Sequence, residues 1–226
     1  MSFAKPSPPS SETELMQRAH ALAGRSLADI AFECGVAVPE NLRRHKGWVG
    51  QLLELVLGAD AESLPEPDFR AIGVEMKTLP INRNGKPRES TYVCTVPLDE
   101  GMEPSWELSW ICRKLSRVLW VPIEAEPEIP LPQRRIGTPL LWSPEENEAQ
   151  ALRQDWEELG DMIRTGELES ITARMGTVLQ IRPKAANSKV RCHSIGADGE
   201  AIITHPRGYY LRPAFTHAIL QRHYLV

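Results

Sequence analysis

Between Trp48 and Leu57 the chain reads WVGQLLELVL, apolar on nearly every side of the helix that this pattern predicts. A helix so apolar must be buried. Its polar exceptions, Lys46, Gly47, Gly50, Gln51 and Glu54, recur three and four residues apart and form one narrow stripe. A buried helix with such a stripe turns it toward a cleft, a partner or a polar site, or leaves it at a solvent-facing edge.

The segment after this helix repeats the contrast on a strand. In PEPDFRAIGVEMKTLPI, Phe69 to Ile81 reads as strand, with Val74, Met76 and Leu79 apolar and Glu75 and Lys77 together on the face opposite Val74 and Met76. The NRNGK that follows predicts a hairpin turn into a second strand, STYVCTVPL. RVLWVPI is a third strand, GTVLQIRP is a late one, PRGYYLRP is a loop leading into a strand, and FTHAILQRHYLV closes the chain as a helix. Short helices are expected over Glu12–Ala23 and from Ser26 to Gly35. Ser143, Pro144 and the following glutamates start another helix, whose stripe is Leu152, Trp156, Leu159 and Ile163. This order of elements is that of a mixed α/β domain.

Three residues converge on chemistry. Asp68 and Glu75 are paired carboxylates suited to an oxygen-loving divalent cation. Lys77 beside them can orient or deprotonate a water, or counter charge developing on a phosphate. The trio therefore suits metal-assisted attack of water on phosphorus, with Glu54 as a supporting or additional carboxylate. The rival is an exposed strand face with an ion pair between neighbours two apart. The spacing adds a condition. Asp68 lies seven residues before Glu75, so on a straight strand the two side chains point to opposite faces, and the chain must bend near Gly73.

Charge is segregated along the 226 residues. From Arg182 onward seven basic residues face only Asp198 and Glu200, whereas Glu145 to Glu169 holds nine acids against Arg153 and Arg164. The first segment suits a polyanion; the second suits water or a protein partner. Arg212 and Arg222 read as solvated surface charges, Tyr209 as packing, and His205 and His217 have no assigned role. Four scattered cysteines without a C-x-x-C pair argue against zinc or a disulfide framework. No apolar run approaches the roughly 20 residues that cross a bilayer. Residues 1–11, Pro/Ser-rich and without the pattern of a secretory signal, are expected to form a disordered tail.

The PD…VEMK pattern resembles the signature of the PD-(D/E)xK nucleases. KGWVGQLLELVLGA, PDFRAIGVEMKTLPI, DWEELGDMI, LQIRPKAAN and PRGYYL resemble, more closely still, the MutH family of mismatch-repair endonucleases. The resemblance runs from about Leu15 to the C-terminus. It implies a restriction-endonuclease-like mixed β-sheet flanked by helices, a two-lobed clamp around a DNA cleft. Residues 12–226 would form one domain, with the active site about 46–114 and GATC recognition about 176–226. It implies a monomeric cytoplasmic enzyme that uses Mg2+, with Mn2+ as a substitute, to nick the unmethylated strand at hemimethylated GATC sites. MutL would activate it, with MutS acting indirectly, and no membrane is involved. Asp68, Glu75, Lys77, Glu54 and Lys114 stand at the family's catalytic positions, with Asp68, Glu75 and the Met76 carbonyl as metal ligands. Lys46, Gly47, Tyr92, Arg182, Pro183, Lys184 and Arg207 stand at DNA-contacting positions, and Tyr210 at the one that senses adenine methylation. A restriction enzyme cutting both strands at GATC, and a GATC-binding module with a decayed site, are the alternatives. The acidic Glu145–Glu169 segment is a solvent face or a docking surface for MutL.

Overall fold

A computed structural model describes residues 3–42, 45–61, 66–98, 103–184 and 189–224. In chain order the elements are α1 (Glu12–His20), α2 (Leu27–Cys34), α3 (Trp48–Leu57), β1 (Glu75–Ile81), β2 (Thr91–Thr95), α4 (Trp110–Leu115), β3 (Val118–Glu124), β4 (Leu140–Trp142), α5 (Glu146–Arg164), β5 (Leu179–Pro183), β6 (Cys192–Ile195), β7 (Ala201–Thr204), β8 (Arg207–Leu211) and α6 (Pro213–Tyr224). The fold is mixed α/β, with small sheets flanked by helices. The chain divides into two compact units, one of Met1–Arg88 and Ser116–Ser143, the other of Glu89–Leu115 and Pro144–Tyr224.

In the first unit β3 is the central strand, parallel to β1 and antiparallel to β4. That position explains its unbroken apolar run, since a strand covered on both faces has no polar side to show. Val118 to Ile123 are all buried. The helix α3 packs on β1 and buries Trp48, Leu52, Leu53 and Leu57 in a core shared with Leu15, Leu27, Ile30, Phe69, Val74 and Leu119. Each fully covered leucine there stabilises the fold by roughly 2–3 kcal/mol of apolar transfer. Ser11 and Ser26 cap α1 and α2, Ser26 in a reciprocal capping box with Asp29.

Four expectations change. The strand expected from Phe69 begins only at Glu75, after a turn described below. The NRNGK turn exists, with the N–H groups of Asn84 and Lys86 donating to Asn82 Oδ1 at 3.0 Å. It folds the chain back on the end of β1 only through the Ile81–Pro87 bridge and does not pair β1 with β2: β1 pairs with β3, and β2 pairs with β8 in the second unit. The cap of α5 is Glu145, boxed with Glu148, rather than Ser143. The stretch expected to be a disordered tail packs instead along the first unit. Phe3 joins the core, Pro9 is buried, and the Ser7 carbonyl accepts from Arg18 Nη1 at 2.7 Å.

The second unit is built on an antiparallel sheet in the order β2-β8-β5, with β6 and β7 as a separate two-stranded ribbon. α4 packs against β2 and α5 against β5. The Trp106 and Trp156 rings meet edge to face at 5.9 Å, burying the apolar stripe of α5. Neither the ribbon nor β4 was expected from the sequence.

Candidate functional site

The bend that the spacing demands is present. Phe69 N–H donates to the Val74 carbonyl at 2.9 Å, and Val74 N–H returns to Phe69 at 3.3 Å. Between them Arg70–Ile72 forms a 3-10 turn closed by Gly73, whose φ of 64° lies in the left-handed region that glycine adopts without steric cost. The turn carries Asp68 back beside the start of β1, where its Oδ2 accepts the Met76 N–H at 2.8 Å. The Asp68 carbonyl in turn receives the N–H groups of Asp60 (2.9 Å) and Ala61 (3.3 Å), just beyond α3.

Glu75 and Lys77 lie two apart on one face of β1, and Lys77 Nζ donates to Glu75 Oε1 at 2.5 Å. Only 2% of the Glu75 side chain and 14% of the Lys77 side chain are exposed, which rules out a solvated surface pair. The two charges hold each other in place, and taking either one away leaves a covered charge uncompensated. Glu54 is half-buried on α3, and its Oε1 comes within 3.8 Å of where a Cβ at Gly50 would stand. The expected polar stripe therefore exists, with Lys46 and Gly47 exposed at its start.

Among the described residues no group of three or more His, Cys, Asp or Glu side chains lies close enough to hold a metal ion. The donors at the start of β1 are two carboxylates and the Met76 carbonyl. They are hard oxygen ligands of the kind Mg2+ takes in ones and twos, the remaining positions going to water and phosphate. The site fits such an ion in the chemistry of its donors. Lys114 lies half-buried in the last turn of α4, in the second unit.

The second unit gathers the other expected residues on the β2-β8-β5 sheet. Tyr92 lies opposite Tyr210, and their rings meet at 5.4 Å and 62°. Arg182 stands opposite Gly208 on the neighbouring strand, with its guanidinium 5.6 Å from the centre of the Tyr210 ring. Lys184 lies over the Tyr92 ring, anchored by its N–H to the Pro206 carbonyl at 2.7 Å. Arg182, Pro183 and Lys184 are exposed and Tyr210 half-exposed. Burial raises the Tyr210 phenol above its usual range, with Arg182 pulling the other way, so it is a neutral hydroxyl at neutral pH. Tyr209 is buried, as expected of a packing residue.

Arg207 does not stand with these exposed cations. Its side chain is 11% exposed and pairs with Glu169 at 3.1 Å, a carboxyl held low first by Thr204 and then by Arg207. Arg212 is not the solvated surface charge expected, whereas Arg222 is exposed as expected but paired. Arg212 donates to three backbone carbonyls, and Arg222 pairs with Glu145 and Glu148.

Sequence reasoning missed two positions here. Gly208 lies beneath the cluster: a Cβ there would stand 3.0 Å from Tyr92 Cε2, 3.1 Å from Tyr210 Cε2 and 3.3 Å from Lys184 Cδ. Asp155 is buried inside the acidic helix expected to face solvent. Its signal was available, because it falls three residues after Leu152 and four before Leu159, on the apolar face.

The family model described as DNA mismatch repair enzyme MutH matches residues 57–155, which include Asp68, Glu75, Lys77 and Lys114. Two relatives are each named DNA mismatch repair protein MutH. They come from Escherichia coli O6:K15:H31 (strain 536 / UPEC) and Escherichia coli O127:H6 (strain E2348/69 / EPEC). Each is 54% identical to this chain over 220 residues, covering 97% of this chain and 96% of the relative.

Proposed function

Because the chain belongs to the MutH family of DNA mismatch repair enzymes, we propose that it nicks the unmethylated strand of DNA at hemimethylated GATC sites. The observation that carries this reading is the turn at Gly73, which sets Asp68 beside a covered Glu75–Lys77 pair. Two carboxylates able to hold a cation, with an ammonium beside them, suit in-line hydrolysis of a phosphodiester.

Asp68, Glu75 and the Met76 carbonyl would hold Mg2+, or Mn2+ in its place. When bound, the ion supplies charge stabilisation to the phosphoryl oxygens and acidifies water. Lys77 orients the attacking water and counters charge as the water oxygen bonds to phosphorus and releases a proton to solvent, while the opposite P–O bond of the backbone breaks and its departing oxygen takes up a proton from solvent. Glu75 fixes the Lys77 ammonium in the position where it acts. Glu54 supports the carboxylates from α3, and Lys114 would serve as a further catalytic cation.

Reading of the site falls to the second unit. Arg182, Pro183 and Lys184 approach the major groove, where Lys184 donates to guanine acceptors. Tyr210, braced by Tyr92, meets the adenine whose N6 carries or lacks a methyl group. Lys46 and Gly47 contact the duplex from the start of the α3 stripe. Arg207, covered and paired with Glu169, serves as scaffold beneath the reading strand in the conformation described. The enzyme works as a cytoplasmic monomer activated by MutL, with MutS upstream; none of the helices among the described residues is long and apolar enough to cross a membrane.

The test is nicking of supercoiled plasmid in Mg2+, with GATC sites unmethylated, hemimethylated or fully methylated, and with or without MutL. Open circles from the first two substrates and none from the third are expected. Prompt linear product supports the two-strand restriction enzyme instead, and no cleavage in any condition supports a binding module. A second expectation concerns Gly208→Ala. The added methyl forces the two tyrosines and Lys184 outward by a few tenths of an ångström. Affinity for a GATC duplex should fall about tenfold, or 1.4 kcal/mol, while the circular dichroism spectrum is unchanged. Unaltered affinity in gel-shift titration would show that these side chains can yield without cost.

A further inference from the structure

The turn between α5 and β5 has its backbone polar groups divided between two charged side chains. Asp155, 3% exposed in the middle of α5, accepts every N–H from Thr177 to Leu179. Thr177 donates to its two oxygens at 2.8 and 2.9 Å, and Val178 and Leu179 each donate to Oδ2 at 2.7 Å. Arg212 takes the carbonyls: Nε donates to Gly176 at 3.0 Å, and Nη2 to Ala173 at 3.0 Å and Met175 at 2.8 Å. Its own N–H goes to the Val178 carbonyl at 2.8 Å. A carboxylate only accepts and a guanidinium only donates, so neither can do the other's task.

Gly176 makes the turn possible. Its φ is +79°, and a Cβ would stand 1.9 Å from the Leu179 carbonyl oxygen and 3.3 Å from Asp155 Cγ. The turn then delivers Leu179 opposite Leu211, the residue just before Arg212, and so starts the β5–β8 register. That register places Gln180 against Tyr210, Ile181 against Tyr209 and Arg182 against Gly208. A slip of one residue would reverse the face of every β5 side chain and take Arg182 from the Tyr210 ring.

We propose that Asp155 and Arg212 are positioning residues for sequence readout, acting through the register of β5 on β8. The proposal rests on the reading that the second unit recognises GATC. It locates specificity partly in an acid and a base that serve only the backbone of a turn.

The experiment uses the full chain as wild type, Asp155→Asn and Arg212→Lys. Asn keeps the shape but offers one acceptor oxygen and turns an NH2 toward N–H groups. Lys keeps the charge but lacks the planar fork that spans several carbonyls. Affinity is measured for a GATC duplex and for one with a single changed base pair, with the folded fraction followed by circular dichroism. The ratio of the two affinities should fall about tenfold in each variant, through weaker GATC binding with non-specific binding unchanged. That ratio does not depend on the active fraction, so a merely structural role would not move it. If Asp155→Asn fails to fold, Arg212→Lys tests the same turn from its carbonyl side. A wild-type preference that the folded variants keep in full overturns this proposal alone. A wild-type protein with no GATC preference overturns it together with the reading beneath it.

Discussion

Lys77→Ala is expected to bind GATC DNA and to lose nicking by on the order of a thousandfold or more. The ammonium lies 2.5 Å from Glu75 Oε1 in a site nearly closed to solvent, where its charge is weakly screened. Its removal would take away the group proposed to orient water and counter charge in the transition state. It also leaves the Glu75 carboxylate covered without its cation, at a cost of about 3–5 kcal/mol where such a pair is buried. The variant should therefore melt below wild type in a metal-free buffer. Added Mg2+ should raise its melting temperature more than it raises that of wild type, because the ion supplies the missing positive charge. Single-turnover nicking of hemimethylated plasmid, gel shift and thermal melts measure the three effects. A folded Lys77→Ala protein that nicks at the wild-type rate would remove Lys77 from the mechanism.

Tyr210→Ala should abolish the distinction between hemimethylated and fully methylated sites. The ring is held on several sides: the Tyr92 edge at 5.4 Å, the Arg182 guanidinium at 5.6 Å and the Gly208 backbone close beneath. Its strand is paired on both flanks, which would keep the ring from withdrawing if an N6-methyl group met it. The bulk of one methyl group against a rigid wall is worth roughly 10–200-fold in discrimination. The ratio of nicking rates on the two substrates should fall by about that factor in Tyr210→Ala. Tyr210→Phe keeps the wall and loses the hydroxyl; retained discrimination in Phe with loss in Ala would assign the effect to bulk. An undiminished ratio in Tyr210→Ala would move methyl sensing elsewhere.

The local patterns that proved most informative were those that burial dictates directly. The apolar helix α3 and the unbroken run of β3 each had one physical solution, and both occur where periodicity placed them. The bend at Gly73 followed from parity alone, since an odd spacing cannot put two side chains on one face of a straight strand. Strand partners were not legible. The Asn82 turn looks the same from sequence whether the strand beyond it pairs with β1 or departs to β8, because pairing over more than a hundred residues leaves no local trace. β6 and β7 are short and keep Ile195 and Ile203 exposed, so they lack the alternation that marks a half-buried strand. The roles of Arg212 and Asp155 were hidden for another reason. Their partners are backbone carbonyls and N–H groups, which every residue carries and no sequence distinguishes.

The division of the chain has a consequence for how the protein is made. The polypeptide passes between the units three times, at residues 88, 115 and 143, so neither unit is a continuous stretch. During synthesis β1 emerges with Glu75 and Lys77 in place, yet its partner β3 lies some forty residues downstream, and β2 must wait for β8 near the far end. Such distant pairings close slowly, and until they do the nascent strands expose unpaired edges. No truncation from either end yields one complete unit without cutting into the other. The first unit can therefore finish its sheet once β4 has emerged, with β1, β3 and β4 all in hand by Trp142, whereas the second waits for β8.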